Sequence, residues 1–465
     1  MSTQGSRDFR PRFHYTPPKG WINDPNGPLY EDGIWHLFAQ HYPHDTVWGP
    51  MHWIHATSKD LLNWENQGIA LSPDERLGLI FSGSAVIDKG NTSGLGRERD
   101  PMICMYTHHG EHEQQSIAFS EDRMHFTPYE GNPVIPNSDL PDFRDPKVFR
   151  NDLLGCWSVV IAAGDHVEFH ASPDLLHWHK TGEFGQAENK LGGVFECPDL
   201  FPLPAPDGSV LWVLIASMAL PREFGGSRTQ YFLGMFDGNT FVETHPSLRA
   251  KLIDSGYDNY AAVTFSGAEK PCIIGWGTSW NYAAEEPTGP FCGLMTYARN
   301  LALVQTVEGL RLSSAPIVPT FLLCEVPGAA SRQPGQQPTV ETALPGEQFC
   351  LRIEAKGPFC ASLFNAQGET FVVGLDNEKR FFTDRTQAGS RDFSELYRAG
   401  LASVTVTPRL QTGDIALTLY FDRCIAEVFA DEGTYANTAL LFPSKPYTHA
   451  RLLGEGTLYV GTVQA

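Results

Sequence analysis

The chain has 465 residues, 42% of them hydrophobic and 12% aromatic, too long for one compact core and too apolar to be disordered, so two globular domains are expected. Its formal charge of -20 repels phosphate, which excludes nucleic acid and anionic membrane as partners and favours a small neutral substrate. No window reaches the roughly 18 consecutive apolar residues of a membrane helix.

Met1 to Phe9 carries no apolar run that would read as a signal peptide, and the first motif follows closely. Nine cysteines, an odd number spread from Cys104 to Cys424 without a Cys-x-x-Cys pair, indicate neither a disulfide framework nor a zinc knuckle. The expectation is a cytoplasmic protein with free thiols; association into a homo-oligomer is left open.

Trp21-Ile22-Asn23-Asp24-Pro25-Asn26-Gly27 sets one carboxylate between side-chain amides, with Pro25 fixing the backbone after Asp24 and Gly27 permitting a tight turn. From residue 10 to 325, short apolar and aromatic runs such as Trp35 to Gln40, Trp157 to Ile161 and Val210 to Ile215 alternate with Gly, Pro, Asn and Asp, which predicts strands and turns. A repeat runs through them. Ala56 to Trp64 returns as Ala171 to Trp178 and, more loosely, as Ala118 to Phe126: a strand ends in Ser, an acid turns the chain, and an aromatic opens the next strand. The serines stand at 58, 120 and 172, spaced by 62 and 52 residues. Four-stranded sheets recurring at about that interval are blades of a β-propeller, and residues 10–325 accommodate five. The Pro-, Gly- and Gln-rich stretch 326–346 reads as a linker. Beyond it, 347–465 contains alternating runs such as Phe349 to Ile353, Ile415 to Tyr420 and Ile425 to Phe429, predicting a C-terminal β-sandwich.

Two further acid-proline motifs, Arg144-Asp145-Pro146 and Glu196-Cys197-Pro198, lie far from Asp24 in sequence. If each occupies the innermost strand of a different blade, all three acids point into the central channel. The three motifs, in this order, resemble the signatures of glycoside hydrolase family 32, the invertases, inulinases, levanases and fructosyltransferases. Gln40, Trp48-Gly49, His52-Trp53, Phe81-Ser82-Gly83-Ser84, Tyr257 to Ala261 and Gly275-Trp276 support the likeness, as do Asp384-Arg385, Glu427 to Phe429 and Phe442-Pro443 in the second domain.

The resemblance implies a retaining β-fructofuranosidase acting on sucrose and short fructo-oligosaccharides. Asp24 would be the nucleophile, Glu196 the acid and then base, and Asp145 would grip ring hydroxyls while Arg144 keeps carboxylates and sugar in register. Asn23, Gln40, Trp48, Phe81, Ser82 and Trp276 would line the fructose subsite, although core packing is the alternative for Trp48, Phe81 and Trp276. No cofactor or metal is called for. Whether water or a second sugar captures the fructosyl-enzyme is open, so a fructosyltransferase is an alternative. An inverting five-bladed hydrolase of arabinose or xylose polymers and a sugar-binding module without turnover are the others. His108 to Glu113 is expected to be a solvated rim loop rather than a metal site, and His166 and His170 fall on a strand that needs no metal. Ala298, where many members of the family carry Pro, touches packing near the domain junction.

Overall fold

The computed structural model describes residues 7–185, 187, 190–221, 226–327 and 338–464. Strands dominate; the one α-helix among these residues is Glu395–Ala399.

The first domain is a five-bladed propeller. Its innermost strands are Gly20–Glu31, Leu79–Ile87, Phe143–Asn151, Val194–Pro204 and Tyr260–Thr264, packed in succession until the last meets the first. Each blade is an antiparallel meander running outward from that strand. Apolar side chains fill all five gaps between blades. Leu29, Phe38 and Trp53 meet Ile80 and Tyr106 between the first and second, and Ile22 and Leu37 meet Phe265 and Ile274 between the first and fifth. The innermost strands are therefore buried on both faces, which is why Gly20–Glu31 shows almost no alternation. The ring closes where Phe291–Cys292 pairs in parallel with Gly20 and Trp21, and where Tyr30 N–H donates to Ser266 O.

The Ser-acid repeat is a turn between the third and fourth strands of a blade. Ser58, Ser120 and Ser172 donate to Asp60, Asp122 and Asp174, whose carboxylates accept the N–H groups two and three residues on. The residue after each Asp is left-handed: Leu61, Arg123 and Leu175. The fourth blade uses the same turn without the serine. Asp237 accepts from Asn239 and Thr240, Gly238 takes the left-handed position, and Phe241 opens the next strand.

The second domain is a β-sandwich built on two long strands, Gln348–Phe364 and His449–Val463, antiparallel along their whole length with a bulge between Ala355 and Phe359. Before the bulge the first of these pairs with Ile415–Asp422, and after it with Thr370–Leu375. One pair of strands thus passes from one layer to the other, enclosing a core that includes Phe349, Leu351, Ile353, Phe371, Leu417 and Leu452.

The structure differs from the expected domain boundary at two short strands. Phe321–Glu325, placed by sequence in the propeller, and Thr339–Ala343, placed in the linker, are both strands on His449–Val463. Both pair along the one edge of that strand that Gln348–Phe364 leaves free, where N–H and C=O groups need partners, a draw that composition does not reveal. Residues 328–337 of the expected linker lie outside the described residues.

Buried charge joins the domains. Arg299, 1% exposed, pairs with Asp254 (2.8 Å) and with Glu427 of the sandwich (2.6 Å). Glu427 also accepts from Tyr297 N–H (2.6 Å), and His14 bridges Glu427 and Asp422. Arg385 reaches Asp258 (2.6 Å), two residues before the propeller's Tyr260. Removing one partner from such a set leaves buried charge poorly compensated at the junction.

Candidate active site

All five innermost strands break register at one level of the channel. The skipped residues are Asn23-Asp24, Phe81-Ser82, Asp145-Pro146, Cys197-Pro198 and Ala261-Ala262. A bulge bends the strand and re-aims its side chains. Proline after Asp24, Asp145 and Cys197 removes the N–H that a regular ladder would use, which favours a bulge at those points. Asp145, Cys197 and Ala261 adopt positive φ of 64°, 44° and 52°. Non-glycine residues hold that conformation only where the surroundings impose it, and it clusters at functional sites.

Cys197 ties the three acids together. Its N–H donates to Asp145 Oδ2 (2.9 Å), and its thiol contacts Asp145 Oδ2 at 3.5 Å and Asp24 Oδ2 at 3.7 Å. Asp24 Oδ2 also accepts from Ser82 Oγ (2.7 Å). Glu196 accepts from Arg144 Nη2 (3.1 Å) at one oxygen and from the Tyr260 hydroxyl at the other. Arg144 is itself clamped by Asp142 (2.7 Å) and Glu113 (3.1 Å).

Deeper supports fix these strands. Asp145 N–H donates to Thr107 Oγ1, which donates to Gln115, whose amide reaches Phe143 O. Below the acids, Lys147 pairs with Asp199 (3.2 Å), and Asp199 accepts from the backbone and hydroxyl of Thr264, joining the third, fourth and fifth blades.

Burial raises the pKa of Asp145 from 3.8 to about 7; Arg144 opposes the rise, while Asp24 and Glu196 add to it. Burial likewise raises Glu196, with Asp24 reinforcing the effect and Arg144 and Tyr260 opposing it. Burial works against the charge on Arg144, but Glu196, Asp145 and Glu113 outweigh it and hold the guanidinium more firmly protonated than usual. These are like charges crowded around one cation, an arrangement in which one carboxyl keeps its proton while a neighbour is ionised.

The remaining expected residues fall around this centre. Asn23 is buried and accepts from Trp21 Nε1 (2.8 Å). Gln40 is buried beside Asn26, whose amide oxygen, in the orientation its neighbours require, accepts from Gln40 Nε2 (3.0 Å) while its nitrogen donates to Ser82 (3.2 Å). Phe81 is half-buried and stacks on His109 (4.8 Å). Trp48 is 47% exposed and meets Phe81 edge-on at 6.4 Å, so it stands on the rim. Trp276 is fully buried against Trp21 and Trp280, and Trp280 is the partly exposed member of that trio.

Residues 109–112 of the histidine run are exposed, as expected of a solvated loop, but its two ends are not. His108, the next-to-last residue of its strand in the second blade, is 1% exposed, His109 stacks on Phe81, and Glu113 holds Arg144, because strand pairing of Met102–His109 with Glu113–Ser120 draws the segment against the site. His166 and His170 lie on a strand as expected; the neighbouring Glu168 and Glu183 are bridged by Lys180. Tyr260, Trp280, Glu113, Thr107 and Gln115 were missed as site residues. Tyr260 stood in the Tyr257 to Ala261 motif, and Glu113 in the histidine run expected to be a loop.

Residues 14–316 match the model of the glycosyl hydrolases family 32 N-terminal domain, and residues 331–464 that of the family 32 C-terminal domain. The chain belongs to glycoside hydrolase family 32. It is 37% identical over 467 residues to a levanase of Bacillus subtilis (strain 168), covering 96% of this chain and 68% of that one. To an extracellular exo-inulinase of Aspergillus niger it is 35% identical over 499 residues, covering 96% and 92%. The crystal structure of the exo-inulinase from Aspergillus awamori superposes over 100% of both chains with a TM-score of 0.86 at 31% identity. The protein is thus a glycoside hydrolase of the β-fructofuranosidase type, from a family of fructan and sucrose hydrolases, and its substrate is a carbohydrate.

Proposed function

We propose that this family 32 enzyme removes terminal fructosyl units from sucrose and short fructo-oligosaccharides with retention of configuration. The supporting observation is the set of three carboxyl groups gathered around Cys197 with different partners: a serine hydroxyl for Asp24, a cation and a phenol for Glu196.

In this reading Asp24 attacks the anomeric carbon and forms a fructosyl ester, while Glu196 gives its proton to the departing oxygen. Glu196 then takes a proton from the water that cleaves the ester. Retention requires the two carboxyls to flank one C–O bond at a separation of about 5 to 5.5 Å. Burial keeps Glu196 protonated to higher pH than a free glutamate, as an acid requires. Arg144 restores balance after transfer, stabilising the glutamate once it is ionised.

Asp24 Oδ1, Gln40 Oε1 and Trp276 Nε1 are buried without a hydrogen-bond partner among the described residues. Such groups cost about 1–3 kcal/mol each when unpaired, which a polyhydroxylated ring would offset. The three belong to residues expected at the fructose subsite. A reducing, cytoplasmic setting is part of this reading, from the odd number and wide spacing of the cysteines, and cell fractionation would check it.

The test is proton NMR of the products in the first minutes of sucrose cleavage. Retention releases β-fructofuranose first; initial α-anomer would overturn the mechanism. Separation of products at high sucrose distinguishes hydrolysis from transfer to a second sugar.

A further inference from the structure

Away from the acids, where the fourth and fifth blades meet the sandwich, lies a cavity of about 360 Å³. Arg228, Arg249, Lys251 and Arg311 line it, and Glu308 is its one carboxylate among the described residues. On a chain of charge -20 this is a reversal of sign at one place. Lys251 has Glu243 at 3.1 Å and Arg311 has Glu308 at 3.1 Å. Arg228 and Arg249 have no ion-pair partner among the described residues. Arg228 donates to the carbonyls of Asp254 and Ser255 (3.2 Å each) and lies over the Tyr257 ring, 4.2 Å from its centroid. The nearby Asp254 is already committed to Arg299 and Thr438.

The cavity also holds an unpaired hydroxyl. Ser314 is 4% exposed, lines the same space, and its Oγ has no partner among the described residues. Opposite the cations, Leu401, Val404 and Val406 of the sandwich present an apolar wall, each 44–56% exposed. Burial lowers the pKa of Lys251, with the positive charge of Arg311 contributing, and burial lowers that of Arg228. An anion in the cavity would reverse both effects.

We propose that this cavity binds the phosphate monoester of a small sugar. The dianion lies among Arg228, Arg249, Lys251 and Arg311, and the hydroxylated body lies against Ser314 and the sandwich wall. Four cations around one volume match a group bearing up to two charges and several acceptor oxygens, for which the arginine fork is suited. The volume suits a single sugar phosphate and is too small for a polyanion. The site does not depend on the proposed substrate or stereochemistry of the enzyme.

Calorimetric titration of the full chain at pH 7 and low salt tests this with three probes: inorganic phosphate, a hexose 6-phosphate and fructose. The expected result is saturable binding of both phosphates, tighter for the ester and weaker with added salt. Arg249→Ala, at an exposed position, should weaken both by about tenfold or more, as loss of a charged hydrogen bond does. Ser314→Ala should weaken the ester alone. Asp24→Asn should bind both phosphates as the wild type does. Absence of saturation at millimolar phosphate overturns the proposal, as does equal affinity for ester and inorganic phosphate. Binding lost in Asp24→Asn but kept in Arg249→Ala would move the ligand to the catalytic pocket and refute the assignment.

Discussion

Asp145→Asn should exchange activity for stability. The Asp145 carboxyl, 6% exposed beside Asp24 and Glu196, is raised from 3.8 to about 7. A group whose folded pKa lies above its unfolded value stabilises the fold below the unfolded value and loses that contribution as pH rises through the folded one. The wild type should therefore lose stability between about pH 4 and pH 7. At about 1.4 kcal/mol per pH unit the interval corresponds to about 4 kcal/mol, an upper figure because a site open to solvent relaxes around the charge. Asparagine keeps an oxygen to accept the Cys197 N–H and carries no charge, so it escapes this loss. Urea unfolding of both proteins at pH 4 and pH 8 is the assay. The variant should match the wild type near pH 4 and exceed it by one to several kcal/mol at pH 8, while its turnover of sucrose collapses. A gap that does not change with pH, or a variant less stable at pH 8, would refute the burial argument.

Glu196→Gln should lower kcat on sucrose by about 10²- to 10⁴-fold with the melting temperature held or raised, measured by initial rates and thermal unfolding; near-normal turnover would remove Glu196 from the acid role. Tyr260→Phe deletes a hydrogen bond that lowers the Glu196 pKa, so the alkaline limb of the kcat/KM profile should move to higher pH; a shift to lower pH would contradict this. Glu427→Ala leaves Arg299 with Asp254 as its only carboxylate partner among the described residues and leaves the buried Tyr297 N–H without its acceptor, and should cost about 3–5 kcal/mol in urea unfolding, against which an unchanged midpoint would count. Trp48→Ala, on the exposed rim, should leave stability within about 0.5 kcal/mol while raising KM for fructo-oligosaccharides; an unchanged KM would place Trp48 outside the binding path.

Much of the fold was legible because its signals are local. The Ser-acid turn recurs at Asp60, Asp122 and Asp174 since one carboxylate caps two backbone donors, a need met within four residues and therefore written in sequence. The fourth copy, at Asp237, escaped notice because glycine supplies the left-handed position and no serine precedes it. Blade count followed from that interval, and the sandwich from alternation.

The acid motifs were singled out by their resemblance to the family's signatures, and the local backbone chemistry supports two of them: Asp24 and Asp145 each lie in a bulge with proline as the next residue, whereas Glu196 stays paired and the bulge falls on Cys197-Pro198. The tertiary structure alone decided what surrounds them. Tyr260 reaches Glu196 across 64 residues and Cys197 reaches Asp24 across 173, distances over which no periodicity carries information. Ring closure by Phe291–Cys292, the burial that lifts Asp145, and the pairing of Arg299 with Glu427 between domains are likewise products of packing. Local backbone chemistry is encoded residue by residue, whereas electrostatic environment depends on which distant groups exclude water from a site, and that is set only when the blades close.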